Sequence, residues 1–118
     1  MQPATQSIAD DTRSALSGLY NVLDLFEAKL PASYVKAFIA VAKHEGECVD
    51  FYARTCGVGN GPMSRRLNDL GEMNSRDRSL PGFGLLESRP DPMDRRFTIV
   101  KLSPKGRALV GRIVGMVG

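Results

Sequence analysis

The chain has 118 residues, 42% hydrophobic and 25% charged, with a formal net charge of +3. Those figures suit a single globular domain with one modest core and exclude a disordered chain. No apolar run nears the roughly 20 residues of a membrane helix, and Met1-Gln2-Pro3-Ala4-Thr5 lacks the basic, apolar opening of a secretory signal, so a cytoplasmic protein is expected.

Residues 1–6 are expected to be flexible, with a single domain over 7–118. From Ser7 to Leu30, Ile8, Leu16, Leu19, Leu23, Phe26 and Leu30, with Thr12 in the gap, recur in steps of three and four. This is one helical stripe, capped by Ser7 and opened by Asp10 and Asp11. Ala15, Tyr20 and Val22 widen the stripe beyond what one small core needs, which points to a dimer helix. Pro31 breaks the chain, and Ala32 to His44 reads as the next helix, ended by Glu45-Gly46-Glu47.

Asp50 caps a short helix, Phe51 to Cys56, that stops at Gly57. Gly57 to Pro62 is a turn by composition. A second short helix starts near Pro62, with Met63, Leu67 and Leu70 on one face. Residues 71–84 hold charge pairs, a proline and glycines without periodicity, and read as a loop. Leu85 to Arg89 and Phe97 to Leu102 read as strands around a proline-stiffened tip, Pro90 to Arg96. Ser103-Pro104 then forms the cap and first position of a last helix, 104–117.

The chemistry open to the chain is narrow. His44 is its one histidine, and Cys48 and Cys56 are too few for a disulfide framework. No phosphate-cradling glycine signature, zinc-ligand pair or nucleophile elbow is present, so an enzyme is not expected, nor a cofactor or metal. The charge is also divided. Residues 1–59 carry 5 basic and 7 acidic side chains, net −2, whereas residues 60–118 carry 11 and 6, net +5. Nine of those eleven cations are arginine, whose planar fork suits phosphates and guanine edges. Either this is a solvated basic face or a nucleic-acid surface lies in the C-terminal half.

Two short helices joined at Gly57, followed by a hairpin, describe a winged helix-turn-helix: mostly α, with a small β-hairpin wing. Ala53 lets the next helix cross closely, while Cys56 and Val58 plug the corner. The run Gly84-Leu85-Leu86-Glu87-Ser88-Arg89-Pro90-Asp91-Pro92-Met93-Asp94-Arg95-Arg96, continuing through Val100-Lys101-Leu102-Ser103-Pro104-Lys105-Gly106-Arg107-Ala108-Leu109, resembles the wing and exit helix of the MarR family of bacterial transcription regulators. The Asp-Arg-Arg tip and the Leu-Ser-Pro-Lys-Gly junction are its specific parts, and the resemblance covers roughly residues 32 to 110.

The resemblance implies double-stranded DNA as the partner, with residues 50–70 as the helix-turn-helix and 85–102 as the wing. On the helix after Pro62, Ser64, Arg65 and Asn68 lie opposite the apolar stripe, with Asn60 at its start. Arg65 can reach a guanine edge and Asn68 an adenine. Arg95 and Arg96 suit a narrow minor groove. Asp94 is read as an orienting partner for a nearby arginine or backbone N–H rather than a DNA ligand, since phosphate would repel it. Arg89 and Lys101 are expected on the DNA backbone.

The sequence departs from the family in three places. Gly61-Pro62 replaces a hydroxyl pair, Arg66 stands where an apolar residue is usual, and 71–84 holds about ten extra residues, including Arg76 and Arg78. The insertion is either an added backbone-contacting loop or a disordered spacer, and partial order is expected because Leu80 and Phe83 can anchor it. Arg66 implies a rotated helix or a side chain that snorkels past a shallow core.

The family's N- and C-terminal helices interlock in a homodimer. Here 7–30 and 104–117 would do so, through Leu16, Leu19, Leu23, Phe26, Leu109, Ile113, Val114 and Val117. Gly106, Gly111 and Gly115 are explained if another helix approaches there. The chain ends near Val117, where relatives continue into a further helix, which predicts a smaller interface and cavity and argues against a small-molecule effector. Redox control through Cys48 and Cys56 is disfavoured because Cys56 is expected in the helix-turn-helix corner, and metal binding with His44 because the gaps match no common zinc spacing. The expected function is a sequence-selective regulator, a homodimeric repressor. The alternatives are a replication, plasmid or mobile-element accessory factor, and a winged helix used only for protein contact.

Overall fold

The computed structural model describes residues 10–26, 30–72 and 82–117. Eight elements follow in order: α1 (Asp10–Leu25), α2 (Ala32–Lys43), β1 (Glu47–Cys48), α3 (Val49–Cys56), α4 (Asn60–Leu70), β2 (Leu86–Pro90), β3 (Thr98–Leu102) and α5 (Pro104–Val117). The expected flexible start, the Ser7 cap and Ile8 lie outside the described residues, as do Arg76, Arg78 and Leu80 of the insertion.

The helix-turn-helix forms at the predicted corner. Gly57 adopts φ 70°, ψ 34°, the left-handed conformation an L side chain resists. The Val58 N–H then donates to the Ala53 carbonyl at 2.9 Å and the Gly57 N–H to Arg54 at 3.2 Å, closing α3 with a Schellman-type cap. Ala53 is 1% exposed, the small residue over which the next helix crosses. Two boundaries differ from expectation. Helix α3 begins at Val49 with Cys48 as its cap position, so Asp50 sits inside the first turn. Helix α4 begins at Asn60, capped by Gly59, and Pro62 falls in its first turn, where its missing N–H has no intrahelical partner to lose.

The core is assembled from one face of each element. Phe38 and Val41 of α2, Tyr52 of α3, Met63 and Leu70 of α4, Leu86 and Val100 are all fully buried. Burial of each such side chain contributes about 1.5–3 kcal/mol, against which no single surface ion pair competes. Met63, Leu67 and Leu70 all turn inward, as their spacing predicts, and Arg66 is half-buried. Phe26 packs edge-on against Phe38, ring centroids 5.7 Å apart.

The wing is larger than a hairpin. Strand β1 adds to β3, giving an antiparallel sheet of order β1-β3-β2. Its register pairs Glu47 with Val100 and Cys48 with Ile99 on one side of β3, and Leu86 with Leu102 through Pro90 with Thr98 on the other. The Tyr52 hydroxyl pins this junction, donating to the His44 carbonyl and accepting from the Glu47 N–H at 3.3 Å. Burial raises its pKa to about 12, so the hydroxyl keeps its proton. Helix α5 starts as predicted: Ser103 Oγ accepts from the Gly106 N–H at 3.0 Å and donates to the Gly84 carbonyl at 2.6 Å.

The inserted loop leaves and returns at one place. The Gly82 N–H donates to Glu72, Phe83 to Asp69, Gly84 to Gly71 and Leu85 to Leu70, at 2.7–3.1 Å. A side chain at Gly82 would collide with the Gly71 carbonyl. Residues 69–72 and 82–85 are thus bonded side by side where α4 ends and β2 begins.

Candidate nucleic-acid interface

Helix α4 turns its polar side to solvent because its apolar side is consumed by the core. Asn60, Arg65 and Asn68 are exposed and Ser64 is half-buried. The N-cap position is Gly59, which has no side chain to cap the helix, and the N–H groups of Asn60 and Gly61 have no acceptor within the helix itself. Its far end is tied down: the Tyr34 hydroxyl of α2 donates to Asp69 Oδ2 at 2.6 Å. The fixed helix therefore presents Arg65 and Asn68 from a rigid base.

The wing tip is built from its own carboxylates. Asp91 Oδ1 accepts from the Met93 N–H at 2.9 Å, and the Asp91 N–H donates to the Phe97 carbonyl at 2.8 Å. Asp94 accepts from Arg96 three times: from the backbone N–H at 3.1 Å, from Nε at 3.0 Å on the same oxygen, and from Nη2 at 2.7 Å on the other. These bonds hold the Asp94 carboxyl below its ordinary pKa. The arrangement matches the orienting role expected for Asp94. The Arg96 guanidinium also lies 6.0 Å from the Phe97 ring centroid. Arg95 is exposed beside it.

Not every expected cation joins this surface. Ser88 of β2 lines a shallow cleft of about 180 Å³ with Leu67, Asn68, Gly71 and Glu72, so α4 lies on the Ser88 side of the sheet. Strand alternation puts Arg89 and Lys101 on the other side, where Arg89 contacts Glu87 at 3.2 Å and Glu87 stands opposite Lys101. The geometry brings Arg65 and Asn68 together on α4 and Arg95 and Arg96 at the wing, with Arg89 and Lys101 on a separate face.

A second surface lies on α1 and α5. Leu16, Leu19, Tyr20 and Leu23 of α1 are 49–69% exposed, and Val114 and Val117 of α5 are 59% and 52% exposed. Phe26 departs from expectation: at 5% exposure it belongs to the chain's own core. Leu109 and Ile113 are half-buried against that core. The two helices touch where sequence reasoning placed nothing, at Gly18, since a side chain there would collide with the Met116 carbonyl. Gly106 is approached by the Leu85 carbonyl rather than by a helix, and Gly111 and Gly115 meet nothing within 4 Å.

Two residues missed by sequence reasoning tie these surfaces together. Glu45, at the end of α2, accepts from the Leu102 N–H at 2.9 Å and from Arg107 at 2.8 and 3.0 Å. Burial alone would raise the Glu45 pKa, but the Leu102 bond and the Arg107 charge lower it overall. Between α1, α5 and the entry to β2 lies a cavity of about 280 Å³, walled by Leu25, Phe26, Leu85 and Leu109 with Lys105 and Arg112 on its lining. Cys48 and Cys56 are free and half-buried, and the described residues contain no cluster suited to a metal. No helix among them is long and apolar enough to cross a membrane.

No protein-family model and no curated protein matches the chain. Solved structures do. The transcriptional repressor CouR, bound to a 23-mer DNA duplex, is 24% identical with a TM-score of 0.61, over 90% of this chain and 66% of that one. MarR from E. coli, complexed with operator DNA, is 20% identical with a TM-score of 0.63, over 92% and 68%. A Mycobacterium tuberculosis protein is 17% identical with a TM-score of 0.69, over 98% and 78%. The chain thus spans about two thirds of the length of the first two and somewhat more of the third. These likenesses show that the chain shares its fold with the CouR and MarR structures, and its own elements are those of a winged helix-turn-helix.

Proposed function

We propose that the chain is a sequence-selective, double-stranded DNA-binding transcription regulator that works as a homodimeric repressor, without catalytic activity. The observation that carries this reading is the pairing of a rigid α4, with Arg65 and Asn68 exposed, and a wing whose Arg96 is oriented by Asp94. In the docking this supports, α4 enters the major groove, its N-terminus receives a phosphate, and Arg95 and Arg96 enter the adjacent minor groove. Solved chains of the same fold were captured on DNA, CouR on a duplex and MarR on its operator. In this reading Arg76 and Arg78 are two further cations available to the DNA backbone.

Dimerisation is part of the proposal. The stripe of Leu16, Leu19, Tyr20 and Leu23, continued by Val114 and Val117, is too apolar to leave in water, and a second copy would cover it. The two recognition helices would then fall about one turn of DNA apart.

The test is fluorescence-anisotropy binding to the gene's own upstream region and to a random duplex across a salt series. Binding at least ~10³-fold tighter to the upstream fragment supports an autoregulatory, sequence-selective protein. Equal and steeply salt-dependent binding moves the weight to an accessory role or to an operator elsewhere. No binding at low salt retires the DNA reading in favour of a protein-contact module.

A further inference from the structure

The wing apex carries an apolar feature that its arginines do not account for. Met93 is 93% exposed, the most exposed large hydrophobic residue among those described, and Phe97 beside it is 53% exposed. A single exposed apolar residue signals nothing. Here Pro92, Met93 and Phe97 cluster on one turn, and that turn is pre-ordered. Asp91 Oδ1 holds the Met93 N–H at 2.9 Å, the Asp91 N–H binds Phe97, and the Phe97 N–H binds the Asp94 carbonyl at 3.0 Å. Pro90 and Pro92 further fix the backbone. Methionine is unbranched and polarisable, able to slide into a narrow slot.

The charge around the apex says what the slot is. Arg95 and Arg96 follow Met93 on the same exposed tip, and the Arg96 guanidinium, held by Asp94, lies 6.0 Å from the Phe97 ring centroid. A fully exposed apolar projection with two cations after it on the same tip suits a groove that is anionic along its rims and apolar on its floor. The DNA minor groove, with phosphates outside and stacked bases within, has that character, and wedge residues enter there between base steps.

We infer that Met93 is a minor-groove wedge: it enters at a base step, partly unstacks it and bends the duplex while Arg95 and Arg96 enter the same groove beside it. This inference rests on the DNA-binding reading and adds a second source of selectivity. A wedge favours steps that open cheaply, TA and CA/TG, over stiff A-tracts. Selectivity would thus extend to a position where no side chain reads a base edge.

The experiment uses the full chain and its variants Met93→Ala and Met93→Leu. Each selects from a library of randomised 30-bp duplexes, and the selected duplex is labelled at both ends for energy-transfer measurement of bending. With the parent, TA or CA/TG steps are expected to be enriched at least threefold at a fixed distance from the selected core, and the duplex to shorten on binding. Met93→Ala should keep the core sequence and the salt slope, because no phosphate contact is removed, but lose both the step enrichment and the shortening. Met93→Leu should restore them. A parent that selects a core with no step enrichment or bend, or an alanine variant identical to it, overturns the wedge and leaves the DNA-binding reading standing. A parent that selects no duplex overturns both. At 93% exposure the substitution removes no core contact, so misfolding does not confuse the result.

Discussion

Asp94 grips Arg96 with both carboxylate oxygens, Oδ1 on Nε at 3.0 Å and Oδ2 on Nη2 at 2.7 Å. The pair sits at the apex of a basic wing, where an uncompensated carboxylate would oppose phosphate. Two roles for Asp94 therefore predict opposite signs. If it only repels DNA, Asp94→Asn strengthens binding. If it orients Arg96, the same change weakens binding, because the amide keeps one acceptor and loses the charge-assisted fork. We expect weaker binding, and only modestly so, because the pair is exposed and screened by solvent. The double variant with Arg96→Ala should bind no worse than Arg96→Ala alone. Anisotropy titrations of the three variants decide the sign.

Arg65 and Arg96 should fail differently. Arg65 projects from α4 and is assigned to a base edge, so Arg65→Ala should cost about 1–3 kcal/mol on the selected site and relax discrimination there. Arg96→Ala should weaken binding to many sequences and reduce the slope of log K against log salt by about 0.9 if one phosphate contact is lost. Unchanged affinity in both variants would contradict the docking arrangement.

How much was legible in the sequence depended on how local the cause was. The Gly57 corner, the Met63, Leu67 and Leu70 face and the Ser103 cap depend on neighbours a few residues away, and all three formed as read. Strand β1 did not, because Glu47 and Cys48 are extended only by pairing with Val100 and Ile99, half the chain distant. The α1 stripe was read correctly as helical, yet periodicity cannot tell which apolar face turns inward. Gly18 decides it, by letting the backbone of α5 approach on the side of Val22 and Phe26 and leaving Leu16, Leu19 and Leu23 outside. Asp94 and Arg96 lie two residues apart, and their pairing was foreseen. Glu45 and Arg107 lie far apart in sequence, and their fork was not.

The exposed α1 stripe gives a test of the proposed dimer. Leu19→Glu with Leu23→Glu places charge on residues 51% and 49% exposed, which adds no buried charge to the single chain. Its helix content and melting should change little as a monomer, while light scattering coupled to size exclusion should show a dimer of the parent and a monomer of the variant. DNA affinity should fall by at least tenfold, since one recognition helix then binds in place of two linked ones. A variant that remains dimeric would locate the interface elsewhere.

Glu45 supplies a pH-dependent tie between the wing and α5. Its folded pKa lies below the ordinary 4.5, through the Leu102 N–H and Arg107, so the unfolded chain binds its proton more readily. The tie's contribution is therefore fully present above about 4.5 and is lost as pH falls through the lowered folded value. Arg107 is half-exposed, so solvent screens the pair and the effect is modest. Glu45→Gln removes the titrating group but leaves an oxygen for the Leu102 N–H. Urea unfolding at pH 7 should find the variant less stable than the parent, and at pH 3 the gap should be narrower. A gap that stays constant between the two conditions would assign the loss to packing rather than to the charge on Glu45.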